Sequence, residues 1–518
     1  MGPQSPEAAD ASDTLDISGT AAFRDTMNMT SSPETGFRIV PTLKVEEFGK
    51  QTHSTVVLDR RQQSQTIISL YLPFLKPPDF SGCSATESLV TLIRQHVKLG
   101  SGSSDFTASG IWPGPQKNNI NTPCPSWPPD LPPRTVKRLV DSYFMNAKTL
   151  GFIDVISTQS AEATLYQTLN GSSQVCNADR CLFYLVLAIG LALDPNPADK
   201  ALRDPNLGGR FFASAEALLS PSETCKEPES YSGVPWTLQA FVLMSFYMLC
   251  ISRHRSAHSY CGKAFRVAHS FGIHRGKEIE VEDSSNTEEW RVSRRNAWRS
   301  LFILDRFLAA TLGNTLVIHQ HTEESLKLQK GTMLNPAVDA CRIIGETVKV
   351  LYSGSNISMK DVKRTTGLLN RLTADEVNMT TSIEQARVRS FRIYADILLC
   401  RPFFLLQFTA STDELQTLDS IEPQINELSR RCVSESCRAV DMLTLSMRST
   451  SPPHIDPFTP CILIEAARRC NSYLEDDGRN KFLRGAFCFG IGSTFTCCPL
   501  PEPCKDRQPE APRTSGPD

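Results

Sequence analysis

The sequence has no excess of positive charge. Its 54 lysines and arginines are offset by 56 aspartates and glutamates, which gives a net charge of −2 over 518 residues. A protein whose whole surface grips nucleic acid is strongly basic, because it must neutralise many phosphates. The charge balance therefore excludes a globally basic protein and remains compatible with a small basic module.

Apolar runs long enough to cross a membrane are also missing. A spanning helix needs about 20 apolar residues. The run CLFYLVLAIGLAL, from Cys181, has only 13 residues, and WTLQAFVLMSFYMLCI, from Trp236, contains Gln239 and Ser245. Both predict buried central helices and no membrane partner. The first residues, MGPQSPEAADASDTLDISGT, have no basic stretch followed by an apolar run, so no secretory signal is predicted.

The 17 cysteines lack metal-binding spacing, since no two of them are three positions apart. Zinc clusters use C-x2-C pairs because several thiolates must converge on one tetrahedral ion. The pairs Cys176/Cys181 and Cys432/Cys437 lie in helical or helix-flanking sequence without a basic surround. The pattern predicts reduced thiols, many of them acting as small core hydrophobes. No zinc or other cofactor is predicted in this chain.

No catalytic motif is visible. The glycines from Gly100 (GSGSS) lack the Lys-Ser/Thr of a phosphate loop, and there is no G-x-S-x-G. His254 and His258 lack the glutamate of H-E-x-x-H, and the acidic pair Asp476–Asp477 lacks a third acid for a magnesium site. We therefore predict no enzyme and no catalytic or metal-binding residue; an all-helical enzyme is kept as a less favoured alternative.

The segment around His254 predicts a basic helix face instead. Its cationic side chains are Arg253, Arg255, Lys263 and Arg266. A solvated face is the simplest interpretation, and an acidic partner or a phosphate is the alternative that the charges leave open.

Three regions follow from composition and periodicity. Residues 1–134 are rich in Ser, Thr, Asp and Pro, and predict a mostly disordered segment with a Pro-rich linker. Residues 135–478 predict helix after helix, with one helix from Ile383 that ends before Pro402. Residues 479–518 predict a low-complexity tail. The fold class is all-α: a large multi-helix regulatory domain between a disordered N-terminal segment and that tail.

Two blocks dense in arginine and aromatic residues stand out, AFRVAHSFGIHRG from Ala264 and RRNAWRSLFILDR from Arg294. In the first, Ala264, Ala268 and Phe271 share a helical stripe, and Gly272 is placed to end the helix in a left-handed conformation. In the second, Asp305 falls on an apolar face. A buried carboxylate needs a partner, and we expect His274 or Arg275 to provide it.

Together the linked blocks resemble the middle homology region of fungal zinc-cluster transcription factors. The matching positions are Arg266, Ala268, Gly272, His274, Arg275, Arg294, Arg295, Trp298, Asp305, Arg306 and Gly313. Supporting similarity covers about residues 132 to 470, including LPPRTVKRLVDSYF and LLCRPFF. This sequence departs from the family where paired tryptophans become Ala297–Trp298 and where Gly-Arg-Pro becomes GNT from Gly313. The zinc binuclear cluster that reads DNA in this family is not recognisable in the sequence.

The resemblance implies a transcription regulator in the nucleus, whose helical domain restrains or releases activity. It implies a structural hub made by the eleven matching residues, with Asp305 as the central acceptor. It also implies DNA as a partner, contacted directly only if a cluster is present in the full-length product and otherwise through another protein. A homo- or heterodimer and a small-molecule effector are further implied partners. The alternative is a cluster-less interaction protein that modulates a DNA-binding partner.

Overall fold

The computed structural model describes fifteen stretches of the chain. They are residues 56–59, 67–70, 131–148, 152–170, 175–194, 202, 204, 206–219, 234–275, 287–318, 334–352, 356–376, 383–409, 422–448 and 457–458. All of them belong to one compact unit, Gly49–Asp518; the other unit, Met1–Phe48, lies outside the described residues. The predicted tail, residues 479–518, also lies outside them.

Most described residues are helical, which confirms the all-α prediction. The helices are α1 Pro133–Tyr143, α2 Thr158–Leu169, α3 Asn177–Ala192, α4 Leu207–Leu218, α5 Trp236–Cys250, α6 His254–Ser270, α7 Thr287–Leu312, α8 Leu334–Thr347, α9 Met359–Glu376, α10 Ile383–Thr409 and α11 Glu422–Arg448. Short π-helical turns, Phe144–Lys148 and Val348–Tyr352, follow α1 and α8.

A small antiparallel sheet accompanies the helices. Its strands are β1 Val56–Asp59, β2 Ile67–Leu70 and β3 Asn356–Ser358, in the order β1–β2–β3. The sequence did not predict them, because three or four residues are too few to show alternation. β1 and β2 fall within the segment that was predicted to be mostly disordered; the described residues of that segment otherwise begin only at Leu131.

The two apolar runs form α3 and α5, at the centre of the fold. Leu185, Leu187, Leu243 and Met244 are fully buried there. α3 packs against α1, α4 and α5, and α5 also packs against α6. Being surrounded on all sides explains why both helices are apolar around their whole circumference. Within the described part of the chain, no helix is long and apolar enough to cross a membrane.

α1 and α3 cross with almost no space between their backbones. A Cβ placed on Gly190 of α3 would lie only 2.1 Å from the carbonyl oxygen of Leu139 in α1. The hydroxyl of Ser142 donates a hydrogen bond of 2.9 Å to the Gly190 carbonyl at the same crossing. Glycine is therefore required at position 190 by contact distance.

Phenylalanines from distant parts of the chain meet in one cluster. Phe307 of α7 lies 4.9 Å from Phe458 and 5.8 Å from Phe391 of α10, measured between ring centroids. Phe152, before α2, lies 4.9 Å from Phe391. Edge-to-face aromatic pairs contribute about 0.5–1.5 kcal/mol each beyond area burial. The cluster joins α7, α10 and the segments before α2 and after α11.

Pro402 does not end α10, contrary to the sequence prediction. The helix runs from Ile383 to Thr409 with Pro402 inside it. Proline cannot donate to the carbonyl four residues earlier, which here belongs to Leu398. The hydroxyl of Tyr352 donates to that carbonyl at 2.8 Å. A side chain from the turn after α8 thus replaces the missing helical hydrogen bond.

Candidate functional site at the junction of α6 and α7

α6 ends in a glycine-capped turn that α7 holds in place. The last helical residue is Ser270, and Gly272 has φ of +63°, the left-handed conformation predicted from the sequence. Ile273, the next residue, is buried. Nη2 of Arg294, on α7, donates to the carbonyl oxygen of Phe271 at 3.0 Å. A cation at a helix C-terminus satisfies a free carbonyl and opposes the helix dipole.

Phe271 itself departs from the predicted stripe. Ala264 and Ala268 are fully buried, whereas the Phe271 side chain is 46% exposed. Phe271 lies beyond the last helical residue, so helical spacing no longer places it on the buried face.

Two stacked histidine rings lie next to an indole at this junction. The rings of His269 and His274 are parallel, with an interplanar angle of 2° and centroids 4.2 Å apart. The centroid of the His274 ring in turn lies 6.3 Å from that of Trp298, a fully buried residue of α7. Phe265 of α6 lies 6.4 Å from the same indole. The aromatic contacts fix the angle at which α6 meets α7.

Asp305 lies about two turns before the end of α7 and is fully buried. Nη1 of Arg306 is 2.7 Å from its Oδ2. The backbone amides of Val317 and Ile318 donate to Oδ1 at 3.1 Å and to Oδ2 at 3.2 Å. The prediction that His274 is the partner is wrong, because the chain following α7 folds back onto the carboxylate. The side chain of Arg275, the other predicted partner, lies outside the described residues.

Burial dominates the electrostatics of this pair. It raises the pKa of the Asp305 carboxyl, against the opposing effect of Arg306 and the two backbone amides. It lowers the pKa of Arg306, against the effect of Asp305. The Arg306 guanidinium lies 4.4 Å from the centre of the Phe302 ring. A Cβ on Gly345 of α8 would lie 2.5 Å from Nε of Arg306, so that glycine makes room for the guanidinium.

The groups next to Asp305 are unsuited to nucleophilic chemistry. Burial raises the pKa of the Cys261 thiol, and it does the same for Cys341. A thiol with a raised pKa is protonated and unreactive. Burial also lowers the pKa of His258, whose Nδ1 lies 3.4 Å from the amide nitrogen of Asn314. Asp305 and Arg306 thus neutralise each other, and none of the residues named here is an activated nucleophile.

The eleven matching residues occupy several environments. Ala268, Trp298, Asp305 and Arg306 are buried between helices. Gly313, with φ of +70°, turns the chain at the end of α7. Arg295 is half-buried, and Arg266 is exposed. That these residues act together as one structural hub stays a prediction.

His254 and His258 do not converge on a shared ligand position. His254 is buried, and its Nδ1 is 3.1 Å from the carbonyl of Ser252, a residue with φ of +59°. Burial lowers the pKa of His254 to about 4. In the described stretches, no three His, Cys, Asp or Glu side chains come together in a way that would hold a metal ion.

A second buried charge pair joins α10 and α11. Nε and Nη2 of Arg431 bind the two carboxylate oxygens of Asp396 at 2.7 and 2.8 Å. Glu435, one turn further along α11, accepts from Nη1 of Arg438 at 2.6 Å. The sequence did not predict this pair. Asp396 lies between Ala395 and Ile397 in an apolar stretch, the same signal that singled out Asp305.

Comparison with known proteins identifies the region that contains the α6–α7 junction. Residues 140–329 match the family model described as the fungal specific transcription factor domain. This part of the chain is therefore similar to a fungal specific transcription factor domain. The matched range begins within α1 and includes the Gly272 turn, the aromatic contacts of Trp298 and the Asp305–Arg306 pair.

Two curated relatives are themselves named as regulators. Filamentous growth regulator 27 of Candida albicans is 24% identical over 271 residues, which cover 46% of this chain and 33% of that protein. The thiamine repressible genes regulatory protein of Schizosaccharomyces pombe is 24% identical over 182 residues, which cover 34% of this chain and 22% of that protein. The matches thus span a third or less of either relative. No solved structure matches the chain significantly.

Proposed function

We propose that this protein is a fungal-type transcription regulator that acts in the nucleus without catalysing a reaction. The observation that carries the proposal is the fungal specific transcription factor domain at residues 140–329. Two relatives whose printed names describe regulators of filamentous growth and of thiamine repressible genes support it. The character of the α6–α7 junction is consistent with it, because Asp305 and Arg306 are paired and the adjacent thiols are protonated.

The helical domain would act by shifting between inhibited and active arrangements. A ligand or partner shifts such an equilibrium only if it binds one arrangement more tightly than the other. In this proposal, the eleven residues around the α6–α7 junction form a rigid hub, with Asp305 as its central acceptor. A small-molecule effector between helices and a homo- or heterodimer are the inputs that we propose for the shift.

DNA is reached in one of two ways in this proposal. In one, a zinc cluster in the full-length product binds DNA directly; in the other, a DNA-binding partner recruits this chain. The sequence contains no pair of cysteines at C-x2-C spacing, which favours the second way for the chain in hand.

A DNA-binding assay on the purified 518-residue chain separates the two. The measurement is made with and without zinc, across a salt series, because phosphate contacts weaken steeply as salt rises. We expect weak, zinc-independent binding, or none. Tight and sequence-selective binding would show that the chain contains its own DNA reader, and would overturn recruitment by a partner.

Regulation itself is tested by tethering. The full chain is fused to an unrelated DNA-binding domain and directed to a reporter promoter in a fungal cell. We expect reporter expression to change, in either direction, relative to the DNA-binding domain alone. A chain with the substitution Asp305→Ala should lose the effect, and one with Asp361→Ala, on the surface of α9, should keep it at equal protein level. An unchanged reporter with the wild-type fusion would contradict the proposed function.

A further inference from the structure

The outward face of α6 carries only basic and small side chains. Exposed or half-buried positions along this face are Arg255, Ser259, Gly262, Lys263, Arg266, His269 and Ser270. They fall within about 120° of one another around the helix at 3.6 residues per turn. The opposite face, with Ala257, Cys261, Ala264 and Ala268, is buried against the neighbouring helices α5 and α7.

This face has no acidic residue of its own. α6 contains neither Asp nor Glu in its 17 residues. Lys263 lies over the ring of Tyr260, with 4.5 Å between Nζ and the ring centroid. Among the described residues, neither Lys263 nor Arg266 forms an ion pair with a carboxylate. Exposed cations in folded proteins are usually interspersed with acids, so the one-sided charge favours an acidic partner.

The middle of the face allows a backbone to approach closely. A Cβ placed on Gly262 would meet no atom within 4 Å, so the space above the helix is open. Ser259 and Ser270, on either side along the axis, are also small. Small residues at the centre of a helix surface let a second helix come near. Arg255 and Arg266 flank the open position, about 16 Å apart at 1.5 Å per residue.

We propose that the outward face of α6 docks an acidic α-helical segment of a partner protein. The partner helix lies against Ser259 and Gly262, and its carboxylates pair with Lys263 and Arg266. Charge complementarity supplies the specificity and the rate of encounter. This inference is independent of how the protein reaches DNA.

The same observations favour a protein helix over nucleic acid as the occupant. A surface that grips duplex DNA commonly neutralises about 6–10 phosphates. The outward face of α6 offers three permanently charged side chains, Arg255, Lys263 and Arg266. The chain as a whole has a net charge of −2 and so does not attract a polyanion at long range.

The test is a binding titration on the full chain. The probe is a fluorescein-labelled, alanine-based peptide of about 18 residues, long enough to form a helix, with glutamates along one side. The control peptide has glutamine at the same positions. We expect fluorescence anisotropy to report binding of the glutamate peptide, weaker at higher salt, and at least about tenfold weaker binding of the glutamine peptide. Equal binding of both peptides, or of neither, would overturn the proposal.

Matched variants locate the binding face. Lys263→Glu/Arg266→Glu should weaken binding of the glutamate peptide by about tenfold or more. Lys360→Glu/Lys363→Glu changes the net charge equally, at two exposed positions of α9, and should leave binding within about twofold. If both pairs weaken binding alike, the effect is long-range charge and the proposed face is wrong.

Gly262→Leu tests the close approach without changing charge. Leucine is a better helix former than glycine, and open space surrounds this position, so the melting temperature should stay the same or rise. Peptide binding should nevertheless weaken by about tenfold, because the new side chain keeps the partner helix away. Unchanged binding would contradict helix docking. A short DNA duplex is titrated in parallel. Duplex binding that depends on Lys263 and Arg266 more strongly than peptide binding does would assign the face to nucleic acid instead.

Discussion

The hydroxyl of Tyr352 donates a hydrogen bond of 2.8 Å to the carbonyl of Leu398, the acceptor that Pro402 leaves without a helical donor. An interior proline usually breaks or kinks a helix because it removes this hydrogen bond and crowds the same carbonyl. Here the turn after α8 provides the donor, and α10 continues to Thr409. The continuity of α10 therefore depends on a residue outside the helix.

Tyr352→Phe should lower the free energy of unfolding by about 1–2 kcal/mol, since the ring is kept and the Leu398 carbonyl is left without its donor. Urea denaturation followed by circular dichroism measures the change. In a Pro402→Ala background, the new backbone amide can donate to the Leu398 carbonyl. Tyr352→Phe should then lower the free energy of unfolding by less than half as much. Equal costs in both backgrounds would show that Tyr352 does not compensate for the proline.

Asp305→Ala should destabilise the protein by more than about 2 kcal/mol, because it leaves the buried Arg306 guanidinium without a counter-charge and two backbone amides without acceptors. Thermal melting measures the loss. Asp339→Ala is the control: its pair with Arg342 is 3.8 Å long and both side chains are more than a third exposed, so little stability should be lost. A melting temperature of the Asp305→Ala variant within error of that of the wild type would contradict this prediction.

Gly190→Ala should destabilise the protein although alanine favours helices. The added methyl group would lie 2.1 Å from the backbone oxygen of Leu139, so α1 and α3 must move apart in a packed core, at a cost of about 1–3 kcal/mol. Gly367→Ala on α9 has open space around the added methyl and should stabilise by about 0.5–1 kcal/mol. Denaturation midpoints of the two variants should shift in opposite directions; a shift of the same sign would show that the crossing is not tight.

Stability should fall as the pH drops through the range set by His254. Burial lowers its pKa to about 4, whereas an exposed histidine has a pKa of about 6.5. The unfolded chain therefore binds a proton that the folded chain rejects between about pH 6.5 and pH 4, at up to about 1.4 kcal/mol per pH unit. Above about pH 6.5, the contribution of His254 to the free energy of unfolding is constant. His254→Gln should flatten the dependence of the melting temperature on pH within the window, and His269→Gln, at an exposed position, should leave it as in wild type.

Periodicity and local rules predicted the features that depend on neighbouring residues. The helical class follows from apolar spacing, and the burial of Val136, Leu139 and Tyr143 on α1 agrees with it. The left-handed Gly272 was predictable because glycine is the residue that ends helices in this way. Asp305 could be singled out because a carboxylate on an apolar stripe requires a partner.

Partners brought together by the fold could not be predicted in the same way. The amides that bind Asp305 come from the chain after Gly313, whose path no spacing rule gives. The donor to Leu398 is Tyr352, 46 residues away, so the sequence near Pro402 predicts a helix end that the fold does not have. The Asp396–Arg431 pair joins two helices across 35 residues. Local patterns identify which groups need partners, and only the packed structure identifies the partners.

The phenylalanine cluster has a consequence for where this protein can be cut. Phe307 belongs to the range matched by the family model, but its neighbours Phe391 and Phe458 lie beyond residue 329, where that match ends. A fragment that stops at 329 would present the faces of α7 to water without their aromatic cover. The end of the family-model match is therefore not a border of cooperative folding, and a protease that spares the native chain should digest such a fragment rapidly.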